Sequence, residues 1–133
     1  MITEQTVIEA KRFGVYNCYQ DCELGEAARR LVEEDISTLV VVDDEGFLVG
    51  IVTRIDLLRA WMATDSWDKK PVKDYMNPSV ITVPPQTRLT KVAELLLDKQ
   101  IHRVVVVREE DGKQRPVSVV SAGDLVYHML NAL

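Results

Sequence analysis

Cysteine and histidine are scarce in this 133-residue chain, which carries only Cys18, Cys22, His102 and His128. A C-x-x-x-C pair with its histidines far away in sequence makes a poor metal-ligand set, and two cysteines in a reducing compartment read as packed or idle thiols. No run of Lys or Arg exceeds two residues and the net charge is −5. That excludes the dense positive surface that neutralises many nucleic-acid phosphates. No apolar run approaches the roughly 18 residues of a membrane span, and Met1-Ile2-Thr3-Glu4-Gln5 lacks the basic-then-apolar order of a leader. A cytoplasmic chain with no nucleic-acid or membrane partner is expected. Neither G-x-x-x-x-G-K nor G-x-G-x-x-G occurs, and no arrangement supplies a nucleophile with its base, a paired acid and base, or a metal cluster. No catalytic residue and no metal site are therefore assigned, and an enzyme is not expected.

What is present is an ordinary globular composition, 47% hydrophobic and 28% charged, long enough to hold a core without disulfides. It is also self-similar. Leu24, Ala27, Ala28, Leu31 and Val32 recur at one spacing as Leu89, Val92, Ala93, Leu96 and Leu97, 65 residues on. The spacing is that of a one-faced helix. The same offset pairs Val7 with Val72, Ile36 with Ile101 and Val40-Val41-Val42 with Val105-Val106-Val107, and it grows to 68 between Asp56 and Asp124. The added residues fall in the charged stretch Glu109 to Arg115, read as a turn that tolerates length. Each copy reads as a short leading helix, a strand, a helix, two strands and a closing helix. Strands are expected near Tyr16–Cys18, Thr38–Val42 and Val49–Val52, and near Val80–Val83, Arg103–Val107 and Val117–Val120. The Val runs require apolar cover on both sheet faces. The division that follows is copy 1 over residues 1–64 with its leading helix, a polar linker at 65–71, and copy 2 over 72–133.

One pattern could carry chemistry. Gly50-Ile51-Val52-Thr53-Arg54-Ile55-Asp56 is matched by Ser118-Val119-Val120-Ser121-Ala122-Gly123-Asp124, and both set a hydroxyl and a carboxylate three residues apart at a strand-to-helix junction. The plain reading is a helix capping box. The functional reading is a ligand site at the carboxyl end of a strand, where a carboxylate accepts from ribose hydroxyls and the helix N-terminus favours phosphate.

The duplicated unit, with Val72-Lys73-Asp74-Tyr75-Met76-Asn77-Pro78, Ile81-Thr82-Val83-Pro84, Ile101-His102-Arg103-Val104 and the Gly50–Asp56 stretch, resembles a pair of cystathionine-β-synthase (CBS) domains, the Bateman module, over about residues 7 to 130. The resemblance implies an α/β (α+β) fold of two tandem βαββα units packed by pseudo-two-fold symmetry, with two clefts that bind adenine nucleotides such as AMP, ADP or ATP, with or without magnesium. It implies that Asp56 and Asp124 hold ribose, with Thr53 and Ser121 beside them. Backbone of Tyr16, Asn17 and Cys18 in one site, and of Ile81, Thr82 and Val83 in the other, would meet the base. His102, Arg103 and Arg54 would meet phosphates. A homodimer and a separate effector protein are the partners it implies, because this chain carries no effector domain, and no cofactor is obligatory.

Departures qualify this. Ser37 and Thr38 stand where copy 2 has His102 and Arg103, so the cations are lopsided; Tyr19 stands where copy 2 has Pro84. With Arg54, and Arg103 from across the axis, the Asp56 cleft is the favoured one. Plain readings exist for the rest: a solvated turn at His102 and Arg103, an exposed first-turn Arg54, and a surface or interface His128. Trp61, Met62, Met76, Tyr127, Met129 and Leu130 read as core or dimer packing. Two other functions remain open: a dimeric interaction scaffold with degenerate sites, and a site for another adenosine ligand, S-adenosylmethionine or NAD.

Overall fold

The computed structural model describes residues 5–10 and 14–133. Met1–Glu4, on which the absence of a leader was read, lie outside the described residues. The described residues form two compact units, Val15–Val80 and, discontinuously, those of 5–10 and Gly14 with Ile81–Leu133. The first holds β1 (Asn17–Tyr19), α2 (Leu24–Glu33), β2 (Thr38–Val42), β3 (Leu48–Thr53) and α3 (Arg54–Ala63); the second holds α1 (Val7–Ala10), β4 (Thr82–Val83), α4 (Leu89–Lys99), β5 (Arg103–Glu110), β6 (Lys113–Ser121) and α5 (Ala122–Asn131). Each has a three-stranded mixed sheet, β1-β2-β3 or β4-β5-β6, parallel at the first pair and antiparallel at the second.

Within the compact units the leading segments of the two copies are exchanged. Val7 lies in the core of the second unit, with Val7 N donating to Thr87 O at 2.9 Å and Leu89 N to Gln5 O at 2.9 Å. Val72 lies in the core of the first, where Val72 N donates to Cys22 O and Leu24 N to Lys70 O, both at 2.8 Å. Each leading segment thus serves the other copy's sheet, because the buried Val closes the helix-side core there. Residues 65–71, between the copies in sequence, also pack. A 3-10 turn at Trp67–Lys69 sets Trp67 against the first unit's core, and a Cβ on Gly25 of α2 would stand 3.1 Å from Asp68.

Helices α2 and α4 are rich in Leu, Ala, Glu and Lys or Arg, good helix formers, and each is followed by a left-handed residue, Asp35 at φ 51° two positions past α2 and Gln100 at φ 52° directly after α4. The same closing bond follows in each, Ile36 N to Leu31 O and Ile101 N to Leu96 O, both 3.1 Å. Leu24, Ala27 and Leu31, and Leu89, Val92 and Leu96, are buried as expected, whereas Val32 and Leu97 are 80% and 78% exposed. Eight residues along a helix turn a side chain about 80° from the first position, off the buried stripe. The Val runs are buried on both faces, with Leu39 and Val41, or Val104 and Val106, in the helix-packed clusters. The expected turn at Glu109–Arg115 is mostly strand: β5 and β6 pair out to Glu110 and Lys113, because alternating polar residues satisfy an exposed hairpin.

Candidate functional site

In the first unit Thr53 ends β3 and caps α3. Asp56 Oδ2 accepts from Thr53 N at 2.8 Å and Thr53 Oγ1 at 3.1 Å, and Asp56 Oδ1 accepts from Arg59 Nη1 at 3.0 Å. Asp56 is only 4% exposed. The second unit repeats the box, with Asp124 Oδ2 accepting from Ser121 N at 2.8 Å and Ser121 Oγ at 3.1 Å, but Asp124 is half-buried. The capping-box reading is therefore realised in both copies. A carboxylate has about four lone-pair positions, so Asp56 keeps room for a further donor.

The sheets bring the first-strand residues to the same end. Thr38 pairs with Thr53, and Asn17 with Val40, so Tyr16 and Asn17 lie at the β3–α3 end of their sheet. Arg103 pairs with Ser121, and His102 O accepts from Ala122 N at 3.0 Å, so this pair sits beside the Ser121–Asp124 box, with Ile81 O bonded to Val105 N at 3.0 Å. A parallel ladder uses alternate residues of the edge strand. Tyr16 O accepts from Val40 N at 3.0 Å, which leaves the backbone N–H and C=O of Asn17 turned outward along the open edge, as are those of Thr82 in the second unit. The side chains of Cys18 and Val83 are buried in the cores.

Several partners were not anticipated. Arg30 Nη1 donates to Asn17 O, occupying the outward carbonyl; its repeat equivalent is Leu95, which cannot donate. Comparing the copies at that position is the signal that finds it. Arg59 is found by its i,i+3 relation to Asp56. Arg54 is 60% exposed at its side chain and lies 3.8 Å from Asp35 rather than at the box. The Tyr16 hydroxyl donates to the Glu34 carboxylate, which raises the Tyr16 pKa. Burial pushes the Cys18 thiol up to about 12, and burial first, then the Glu26 charge, raises Cys22. In the second unit a concavity of about 520 Å³ opens over β4, lined by Thr82, Val83, Gln86, Arg108, Glu109 and Gln114 among others. Gln114 Nε2 donates to Thr82 Oγ1 at 3.2 Å. The signal for this wall is the inserted hairpin, longer than its counterpart at Asp44–Gly46. Among the described residues no group of three His, Cys, Asp or Glu could hold a metal ion, and no helix is long and apolar enough to cross a membrane.

The family model of the CBS domain matches residues 14–63 and again 72–131, and the chain belongs to the CBS-domain family. An uncharacterized 17.7 kDa protein in the bps2 3′ region of Acidianus ambivalens is 28% identical over 88% of this chain and 68% of its own length. The chain spans only 20–53% of three further curated relatives. Among solved structures, the CBS-domain pair of protein MJ0100 in complex with 5′-methylthioadenosine and S-adenosyl-L-methionine is similar at TM-score 0.83 and 26% identity, covering 97% of this chain and 98% of that one. CBSX2 in complex with AMP is similar at TM-score 0.79 and 29% identity, covering 96% and 97%.

Proposed function

We propose that this chain is a non-catalytic regulatory module that binds an adenosine-containing ligand at the strand-to-helix end of each unit. The observation that carries the reading is the duplicated hydroxyl–carboxylate box, with Asp56 and Asp124 bonded to Thr53 and Ser121 at the first turn of a helix. Two similar CBS-domain structures contain AMP, or 5′-methylthioadenosine and S-adenosyl-L-methionine, which supports adenosine as the common part of the ligand. In this reading the carboxylates accept from ribose hydroxyls, and of the first-strand triplets Asn17 offers its outward N–H, and Thr82 its outward N–H and C=O, to the base. His102 and Arg103 supply positive charge for phosphates, and Arg54 joins them by leaving its 3.8 Å contact with Asp35. AMP, ADP or ATP is the proposed ligand class. Binding acts on a homodimer or a separate effector protein through differential affinity for two packing states.

A scaffold reading draws on the exposed apolar side chains of the closing helices, Trp61 and Met62 in α3 and Met129 and Leu130 in α5. A thermal-shift series with AMP, ADP, ATP with and without magnesium, S-adenosylmethionine and NAD separates the two. Ligand at about 100 times its Kd stabilises the folded state by about 2.7 kcal/mol. A shift with one ligand, lost in Asp56→Asn or Asp124→Asn, supports the sensor; these variants keep an acceptor for the cap. A flat response to all of them favours the scaffold.

A further inference from the structure

Thr38, the first residue of β2, is 9% exposed, and its Oγ1 has no hydrogen-bond partner among the described residues. A buried hydroxyl without a partner destabilises the fold that holds it, and natural cores contain few of them. Its position is specific. Thr38 is the cross-strand partner of Thr53, so the two side chains share a sheet face. Its neighbours Leu39 and Val41 belong to the helix-packed core, which sets Thr38 on the opposite face. Thr53 Oγ1 is already committed to Asp56 Oδ2 at 3.1 Å. The orphan hydroxyl therefore stands beside the box that the functional reading assigns to ribose, at the N-terminal end of the ten-residue helix α3.

The repeat gives a second line of argument. Thr38 occupies the position that Arg103 occupies in copy 2. A short neutral donor and acceptor replaces a cation there, and the cations that copy 1 does hold nearby are already engaged: Arg30 with Asn17 O, Arg54 with Asp35 and Arg59 with Asp56 Oδ1. A hydroxyl matches a ligand hydroxyl or ring nitrogen, whereas a phosphate gains more from a charged donor.

We propose that Thr38 is a ligand-contacting residue of copy 1 whose hydroxyl completes its hydrogen bonding with a neutral group of the bound nucleoside. The proposal rests on the reading of the chain as an adenosine-ligand module. It adds that copy 1 reads the uncharged part of that ligand. Thr38→Val tests it, because the substitution keeps the shape and β-branching and removes only the hydroxyl; Thr38→Ser keeps the hydroxyl.

The probes are AMP and 5′-methylthioadenosine, one with and one without phosphate, titrated calorimetrically into wild type and both variants. Thr38→Val is expected to raise the Tm of the ligand-free protein by about 3 °C. It is expected to weaken both ligands by about tenfold, while Thr38→Ser stays within about twofold of wild type. A lower Tm for ligand-free Thr38→Val overturns the proposal, since the hydroxyl then has a partner in the unliganded fold. Unchanged affinity overturns it, and so does a loss confined to AMP, which would mean a phosphate contact. Wild type that binds neither probe sinks the functional reading and this role together; wild type that binds while Thr38→Val binds equally sinks only the role of Thr38.

Discussion

Asp56 caps a helix, and its proposed role toward ribose can be pulled apart from that. Its carboxylate caps α3 through Thr53 and pairs with Arg59 at 3.0 Å, so Asp56→Ala lowers stability by about 1 kcal/mol through the lost cap, read by urea unfolding, as well as abolishing ligand response. Asp56→Asn retains an acceptor and is expected to recover most of the stability and none of the ribose affinity. Cys18 gives a pH-dependent case. Burial raises its thiol from the ordinary 9.0 to about 12. The folded state therefore holds that proton while the unfolded chain loses it, and stability falls as pH rises between those values. Below pH 9 the contribution is complete. Urea unfolding of wild type and Cys18→Ala at pH 8 and pH 10.5 should show their difference in stability narrowing at the higher pH; a constant difference would refute the assignment.

At the scale of elements, the two copies differ in how closely segments meet. A Cβ on Gly50 in β3 would stand 2.8 Å from Met76 Sδ and 2.9 Å from Asn77 O. The backbone there is tied by Ile51 N to Asn77 O at 3.0 Å and Asn77 N to Ile51 O at 2.8 Å. Gly50→Ala must push that strap away and is expected to cost about 1–3 kcal/mol, measurable by chemical denaturation. Gln100→Gly should act in the opposite sense. A left-handed residue with a Cβ is strained, so glycine at the end of α4 is expected to stabilise by about 1 kcal/mol. Helices α2 and α4 and the Val strands were legible because a repeated apolar period reports burial directly. The exchange of Val7 and Val72 was not, since a buried Val is equally compatible with either copy's core and only long-range pairing decides. The box at Thr53 and Asp56 was legible as a motif, while Arg30 on Asn17 O was hidden because side chains far apart in sequence leave no periodic trace. Thr38 was visible only as a departure from its partner copy; that its hydroxyl lacks a bond is a tertiary fact.

For the whole molecule, the repeat duplicates a surface as well as a core. Leu58, Trp61 and Met62 of α3 are 52–79% exposed, and the residues 68 further on, Val126, Met129 and Leu130 of α5, are 56–66% exposed. Isolated exposed apolar residues are ordinary, but three at i, i+3 and i+4 stand together on one helix face, and each unit repeats that face, a pattern of the kind that marks association. If a second copy of the chain covers these faces, the expected assembly is a two-fold dimer. Sedimentation at micromolar concentration should then give about 30 kDa, twice the 15.1 kDa of the chain. Trp61→Glu combined with Met129→Glu places a charge on each patch and should return the mass of one chain with the helices still folded by circular dichroism. If ligand response survives in that monomeric variant, each chain carries its own complete site; if it disappears, the dimer is part of the switch. A wild type that sediments as one chain would remove the dimer and leave the effector protein as the partner for those faces.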